Sequence, residues 1–509
     1  MFCVQILLRN NKFSVNIMIY IGLFLLIWAF AFFGFSLYKI RVDHCCKLAS
    51  SMLIARQLRR SFYCFASSVN LMRIVKILVF YFPLKSARTA LVSLLAGRVE
   101  AAVKFCNTKN LLFEAAILEA YVHPKSALEK LKKFQSNAAK IECADICFML
   151  NDKAAAENFL ENITDKNLTP YYKAKKAYLE ANFFLFDANM ESASHAATLA
   201  AVNYKKSHAY IEEAYAYLLQ GTIFRISAVE DVAHFMFRKA ATLFRAFHNF
   251  AGEADAYANL GMLWTLRENF EAALGYFKDS FEINKTHHRK SAAAYVLTQS
   301  ALVELLAKNF RKAETTAKRA LKRQKKLHDK NGQAFAWQIL AYLFSAQKKW
   351  DKMRDCAQKA YLIYQKNNLD VSCLLESAYL WANAEFELGN VKKAESLLRK
   401  CTDKNIALNS CFHVANAYNL LGLIFLKKND LSRAKSLFLT AASIEQKDER
   451  FAGAATDYIN IALIENRRGH MQQALKTFQT ALNFAGAFEE NDLTAFIQKK
   501  IYELENKLK

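Results

Sequence analysis

The sequence predicts an all-α protein built from a repeated pair of helices, and three observations carry this prediction. The chain has 509 residues, too many for one compact core, so its apolar residues must be shared among domains or repeats. It contains only 13 Gly and 3 Pro, which leaves few of the residues that make tight turns between strands. Small residues also recur about every 40 positions. A repeat array of helices satisfies all three observations.

The small residues set the register of the predicted repeats. Seven alanines and one methionine, each placed near the start of a second helix, are 40 or 41 positions apart: Ala193, Ala233, Ala273, Ala313, Met353, Ala394, Ala434 and Ala474. Twelve positions before each of them lies another small residue: Ala181, Gly221, Gly261, Ala301, Ala341, Ala382, Gly422 and Ala462. Two helices that pack at about 8–10 Å need small side chains where they cross. We therefore expect both columns to be buried at helix crossings.

The segment Ala254–Ile283 resembles the tetratricopeptide repeat (TPR). Its matching residues are Tyr257, Leu260, Gly261, Trp264, Ala273 and Phe277. The period of 40 resembles the long-helix TPRs of Pins-like spindle-orientation scaffolds, kinesin light chains and several bacterial regulators. The closing Pro of a TPR is missing, and Leu297 and Ala378 replace first-helix aromatics. For residues 165–486 this resemblance implies a right-handed TPR-like α-solenoid of helix pairs.

Two flanking segments are also predicted to be helical. Residues 89–164 contain weaker units with irregular spacing, and we interpret them as degenerate helical repeats. Residues 487–509 predict a helix with a polar face that covers the last apolar surface of the array, as the ends of repeat proteins require.

An uncharged apolar run near the amino terminus predicts one transmembrane helix. Residues 17–38 hold 22 residues without a charge, enough to cross a hydrocarbon layer of about 30 Å, and they follow a short tail at 1–16. A cleaved signal peptide with Ala29 and Ala31 at its cleavage site is the alternative. The apolar run continues through Phe35, which favours the anchor.

Basic residues after this run predict its orientation. Residues 1–90 contain twelve Lys or Arg and one acid, Asp43, and most of these cations lie in the juxtamembrane segment 39–88. Positive charge stays on the cytoplasmic side, so the amino terminus is expected outside and the repeats in the cytoplasm. The eleven cysteines, odd in number and irregularly spaced, are typical of free thiols in a reducing compartment. A second span at Leu71–Leu84 is less favoured because Arg73 and Lys76 would lie near its centre.

No sequence motif predicts an enzyme. The chain has no P-loop, dinucleotide fingerprint, zinc-protease motif or nucleophile elbow, and we expect no catalytic site, no cofactor and no metal. Cys143 and Cys147 are four residues apart on a predicted helix, yet no nearby Cys or His completes a tetrahedral site, so both are expected to be buried. Basic charge without an aromatic RNA-binding signature argues against a nucleic-acid partner.

The TPR resemblance further implies that certain first-helix positions, Lys175 among them, line a groove. The candidate binding residues there are Tyr178, Asn182, Tyr215, Tyr295, Gln338, Tyr342, Glu376, Tyr379, Asn383, Asn416 and Asn419. Asn and Gln can pair with the backbone of an extended peptide, and Tyr adds area with a polar tip. The carboxylate clamp of chaperone-binding TPRs is not expected, because Leu218 and Tyr295 occupy partner positions of Asn259.

These features together predict a membrane-anchored TPR scaffold or adaptor with protein or peptide partners. The alternatives are a regulatory protein or sensor that binds a signalling peptide, and an assembly or import receptor at a membrane.

Overall fold

A computed structural model describes residues 100–508 apart from 121, 151, 162, 368–370, 406–410, 448–449 and 487–490. The predicted transmembrane helix at 17–38 and the basic segment at 39–88 lie outside these residues. None of the helices that the structure describes is both long and apolar enough to cross a membrane. The chain forms two compact units, Met1–Leu263 (unit 1) and Trp264–Lys509 (unit 2).

The described part of unit 1 begins with five short helices and continues with long ones. The short helices are α1 (Glu100–Thr108), α2 (Leu112–Ala120), α3 (Pro124–Leu131), α4 (Asn137–Met149) and α5 (Lys153–Leu160), followed by a 3-10 turn at Asp165–Asn167. The long helices are α6 (Pro170–Phe186), α7 (Met190–Lys206), α8 (Tyr210–Ile226), α9 (Glu230–Ala246) and α10 (Phe250–Leu266), within which unit 1 ends.

Unit 2 contains the remaining helices of the described chain. They are α11 (Phe270–Thr286), α12 (Lys290–Leu306), α13 (Phe310–Lys326), α14 (Lys330–Ala346), α15 (Trp350–Lys366), α16 (Val371–Glu387), α17 (Val391–Asn405), α18 (Cys411–Lys427), α19 (Leu431–Lys447), α20 (Phe451–Arg467), α21 (Met471–Gly486) and α22 (Asn491–Leu508). From α6 to α21 the even-numbered helices are the first helices of their pairs and the odd-numbered ones are the second. Consecutive helices pack against each other from α1 to α5, from α6 to α9 and from α11 to α22, and α6 also packs against α4.

The long helices are unusually regular. From α6 to α15 each has 17 residues, and three-residue loops set the starts of successive first helices 40 residues apart. In the loops of these helices one non-glycine residue has a positive φ, between 54° and 59°: Ala188, His208, Ala228, His248, Glu268, His288, Lys308, His328 and Lys348. The next N–H donates back to a carbonyl of the last turn, as from Asn189 to Phe184 at 2.8 Å. This left-handed residue ends each helix without glycine or proline.

The predicted columns of small residues are buried. All eight register residues from Ala193 to Ala474 are 0% exposed. Within unit 2, Ala301 on α12 and Ala313 on α13 belong to one core cluster. A Cβ added to Gly221 would lie 2.6 Å from the ring of Phe237 in unit 1, so only a hydrogen fits there. The small side chains thus let the aromatic rings of second helices pack directly onto first helices.

A buried cation joins the short helices of unit 1 to the long ones. The Lys175 ammonium on α6 lies 2.7 Å from a carboxylate oxygen of Glu142 and 2.7 Å from one of Asp145, both on α4. Burial opposes the charge, but the two carboxylates hold the pKa of Lys175 well above its usual range. The resemblance-based register placed Lys175 in the groove, whereas the structure uses it inside unit 1.

The last helix covers the end of unit 2. On α22, Ile497 and Leu504 are buried and pack in one cluster with Ala474 and Phe478 of α21. This helix lies within the segment 487–509 that was predicted to cover the array.

Overpacking the crossing of α12 and α13 should destabilise unit 2. We expect Ala313→Leu to cost about 1–3 kcal/mol of unfolding free energy, because the added methylenes have no space in a well-packed core. The measurement is urea denaturation of the full-length chain followed by circular dichroism. Thr315→Leu, on an exposed position of the same helix, should stay within about 0.5 kcal/mol of wild type. Equal stability of the two variants would contradict the crossing.

Candidate peptide-binding strip

Two hydrogen bonds connect successive first helices of unit 2. The Tyr342 hydroxyl on α14 donates to Glu376 on α16, and the Asn419 side-chain amide on α18 donates to Asp457 on α20. These bonds place the four side chains on the face where first helices meet. Polar residues also occupy the positions between these four on the first helices. We call the whole set the polar strip: Tyr342, Glu376, Tyr379, Asn383, Asn416, Asn419 and Asp457.

Asn383 and Asn416 occupy the helix positions of Tyr342 and Glu376 one helix pair later. Asn383 occupies the thirteenth position of α16, as Tyr342 does in α14, and Asn416 occupies the sixth position of α18, as Glu376 does in α16. From this equivalence we infer that the two amides lie across from each other between α16 and α18. Both are half-buried, and neither side chain forms a hydrogen bond within the described residues. Each carboxamide therefore offers an acceptor oxygen and an N–H₂ donor to a ligand.

The phenols of the strip remain protonated donors. Burial, together with the neighbouring Glu376 carboxylate, raises the pKa of Tyr342 above its usual range. Burial also raises the pKa of Tyr379, which packs against the apolar core of unit 2. Tyr342 thus holds one oxygen of Glu376 in a fixed position, and the strip keeps a carboxylate at one end.

Asp457 adds a buried carboxyl group to the strip, one that the sequence reasoning did not select. It is 2% exposed, and burial raises its pKa to about 7, with Glu445 adding to the shift and the Asn419 hydrogen bond opposing it. The corresponding position of most other first helices holds a buried apolar residue, such as Ala336 or Ala417, although α6 has Lys176 and α16 has Ser377 there. A comparison of aligned repeats can detect Asp457, because it is an acid at a position where most first helices have an apolar residue.

Gln338 does not line an open surface, which corrects its assignment to the groove. The residue is 2% exposed, and its carboxamide oxygen accepts a hydrogen bond of 3.2 Å from the Tyr364 hydroxyl on α15. At about 100° per residue, Gln338 is turned about 40° around α14 from Tyr342. That rotation directs it to the second helix of its own pair. Tyr295, on α12, is 45% exposed and lies outside the strip.

The three candidate residues in unit 1 are engaged within that unit. Tyr178 is half-buried, its ring meets Tyr204 edge-on at 6.5 Å between centroids, and burial raises its pKa to about 12. The Asn182 amide donates to the backbone carbonyl of Tyr178 at 2.7 Å. The ring of Tyr215 packs edge-on against Phe244 at 4.8 Å. These contacts account for the three residues within unit 1.

The paired cysteines lie in the core of unit 1. Cys143 and Cys147 are buried on α4, and burial raises the pKa of both thiols, that of Cys143 to about 12. No group of three or more His, Cys, Asp or Glu side chains in the described part of the chain is arranged to hold a metal ion.

Comparisons with known proteins find structural neighbours only. No family model and no curated protein sequence matches the chain. A Rap protein complexed with competence and sporulation factor is similar at 13% identity over 72% of this chain and 97% of that one, with a TM-score of 0.47. Yeast Tom70 is similar at 13% identity over 85% and 92%, with a TM-score of 0.45. BtubC from P. vanneervenii is similar at 15% identity over 44% and 91%, with a TM-score of 0.37.

The buried carboxyl of Asp457 should make unit 2 less stable as the pH rises. Between pH 4 and about pH 7 the unfolded chain loses this proton while the folded chain keeps it, so the unfolding free energy falls and then levels. Asp457→Asn removes the titration, keeps an acceptor for Asn419, and should become more stable than wild type by about 2–4 kcal/mol at pH 8.

Urea unfolding at pH 5, 6, 7 and 8 measures this trend. The exposed Asp351→Asn variant serves as the control and should follow the wild-type profile. A constant difference between wild type and Asp457→Asn at all four pH values would show that Asp457 does not hold its proton in the folded state.

Proposed function

We propose that the chain is a membrane-anchored scaffold of TPR-like helix pairs that holds an extended segment of a partner protein along the polar strip. The observation that carries this proposal is the pair of half-buried amides, Asn383 and Asn416, which have no hydrogen-bond partner among the described residues. Carboxamides in this state can each pair with a peptide backbone N–H and C=O without discriminating between side chains.

The surroundings of the two amides define what the segment must offer. Glu376 gives the strip a carboxylate acceptor, so donors such as backbone N–H, Lys or Arg groups are favoured over carboxylates. Tyr379 adds an aromatic surface beside it. Neighbouring first helices are about 8–10 Å apart, and an extended peptide crosses that distance with about three residues. A segment of about six to nine residues would therefore reach from α14 to α20.

The proposal includes the topology expected from the sequence. A single span at 17–38 would leave the amino terminus outside and the repeats in the cytoplasm, and the basic segment 39–88 supports this orientation. The right-handed, long-helix TPR arrangement belongs to the same proposal, supported by the 40-residue spacing of first helices. A peptide sensor or an import receptor would use the same strip, and the identity of the bound partner distinguishes them.

Removing the two amides should weaken peptide binding. Peptides selected from a random twelve-residue display library on the full-length chain are the probe, and their dissociation constants are measured by fluorescence anisotropy. We expect Asn383→Ala combined with Asn416→Ala to weaken binding by about tenfold or more, because bound backbone groups lose their partners. Helicity and melting temperature should be unchanged, since both side chains reach solvent.

Asn331→Ala provides the matched control, because Asn331 is an exposed asparagine in the first turn of α14. It should bind the selected peptides as wild type does. If the library yields no binders, or if the double variant binds them with wild-type affinity, the strip is not the binding site.

The topology is tested separately from binding. A protease added outside intact cells or organelles should digest an epitope tag fused before Met1 and spare a tag fused after Lys509. After membrane permeabilisation both tags should be lost. Digestion of the carboxy-terminal tag in intact compartments would place the repeats on the other side and contradict the proposed orientation.

A further inference from the structure

Helix α13 carries the largest excess of positive charge among the described helices of unit 2. Its 17 residues contain one acid, Glu314, and eight cations: Arg311, Lys312, Lys318, Arg319, Lys322, Arg323, Lys325 and Lys326. Other second helices mix the two signs. Helix α11, for example, has Glu271, Asp279 and Glu282 against Lys278 and Lys285. Ordinary solvated helix faces have this mixed pattern, and α13 departs from it.

Most of the cations of α13 have no carboxylate partner within the described residues. Lys318 pairs with Glu314 at 2.6 Å, and no other cation of α13 forms a salt bridge within the described residues. Seven of the eight side chains are exposed, and Arg323 is half-buried. The face therefore carries a strong positive potential that attracts anionic partners.

Aromatic rings hold several of these cations in place. Arg319 and Arg323 lie over the ring of Phe281, at 5.6 and 5.4 Å from its centroid. Lys325 on α13 and Lys359 on α15 share the ring of Trp337, at 5.4 and 4.6 Å. The two ammonium groups are thus within about 10 Å of each other. Neither has a carboxylate partner in the described residues, so an anion near both would relieve their repulsion.

The surroundings of the cations favour a protein partner over a membrane or a nucleic acid. A helix that lies in a membrane interface inserts large apolar side chains beside its cations, and α13 exposes none. Single-stranded nucleic acids stack their bases on open aromatic faces. Here the cations cover the rings, and Phe281 is only 8% exposed. Carboxylates on a flexible chain can reach all of these groups without insertion or stacking.

We propose that α13, together with Lys359 of α15, is a second docking surface that binds an acidic segment of a protein. At 1.5 Å per residue, Arg311 to Lys326 covers about 22 Å, which matches about seven residues of extended chain. A segment with four or more Asp or Glu residues in that length can pair with the exposed cations. This surface belongs to a second helix and differs in charge from the polar strip, whose Glu376 carboxylate favours donors.

The test uses the full-length chain and a fluorescent twelve-residue peptide rich in Glu. The variant Lys322→Gln, Lys325→Gln, Lys326→Gln should bind this peptide about tenfold more weakly in 0.1 M salt, a loss typical of removing several charged contacts. The control Lys278→Gln, Lys285→Gln, Lys290→Gln removes the same charge from exposed positions of α11 and α12 and should stay within about twofold of wild type. Both variants retain segment 39–88, and circular dichroism checks that they keep wild-type helicity.

Reversing the charge gives an independent readout. Lys322→Glu, Lys325→Glu, Lys326→Glu should lose the Glu-rich peptide and gain affinity for a Lys-rich peptide of the same length. Equal losses in the Gln variant and its control would show that net charge alone attracts the probe, and would overturn the proposal. It would also be overturned if a twelve-nucleotide DNA or phosphatidylserine vesicles showed the α13-dependent binding while the Glu-rich peptide did not.

Discussion

The close approach of paired helices at alanine and glycine is the constraint on which the rest of this structure depends. The eight register residues, seven alanines and Met353, are 0% exposed where a second helix crosses its first helix, and the alanines allow the close approach. The crossings fix the helix separation, and the left-handed residue at each helix end fixes the helix length. Together they make equivalent positions of successive pairs superimposable, so a property placed at one position recurs along a whole face.

The regular spacing turns scattered polar residues into continuous surfaces. Tyr342 and Glu376 meet because the thirteenth position of one first helix lies against the sixth position of the next. Asn383 and Asn416 occupy the same two positions in the next pair of first helices, although 33 residues separate them in sequence. On α13 the repeat instead places cations along one second helix. A solenoid can therefore carry binding surfaces of different chemistry on its two kinds of helix, since each kind varies without changing the crossings.

Burial was predictable from the sequence where only side-chain size decides it, and orientation was less so. Ala313 could be assigned from spacing alone, because small residues recur at seven of the eight crossings. Gln338 was placed on a surface because the resemblance does not show which first-helix positions face the second helix of the same pair, where Gln338 meets Tyr364. Lys175 was placed in the groove because its partners, Glu142 and Asp145, lie on an irregular helix with no repeat spacing. The sequence did not mark the helix ends, because His288 and Lys308 adopt the left-handed conformation that Gly usually adopts there.

Asp457 shows how the fold and the proposed binding surface constrain each other. An apolar residue at this position would pack as Ala417 does and would avoid the cost of a buried acid. Asp457 instead accepts the Asn419 amide and leaves the oxygen of that amide available on the strip. The carboxyl of Asp457 therefore does not contribute to stability. Its effect is to orient Asn419. Buried polar groups that cost stability are expected where they position a neighbour for binding, and Asp457 extends the strip to α20 on this ground.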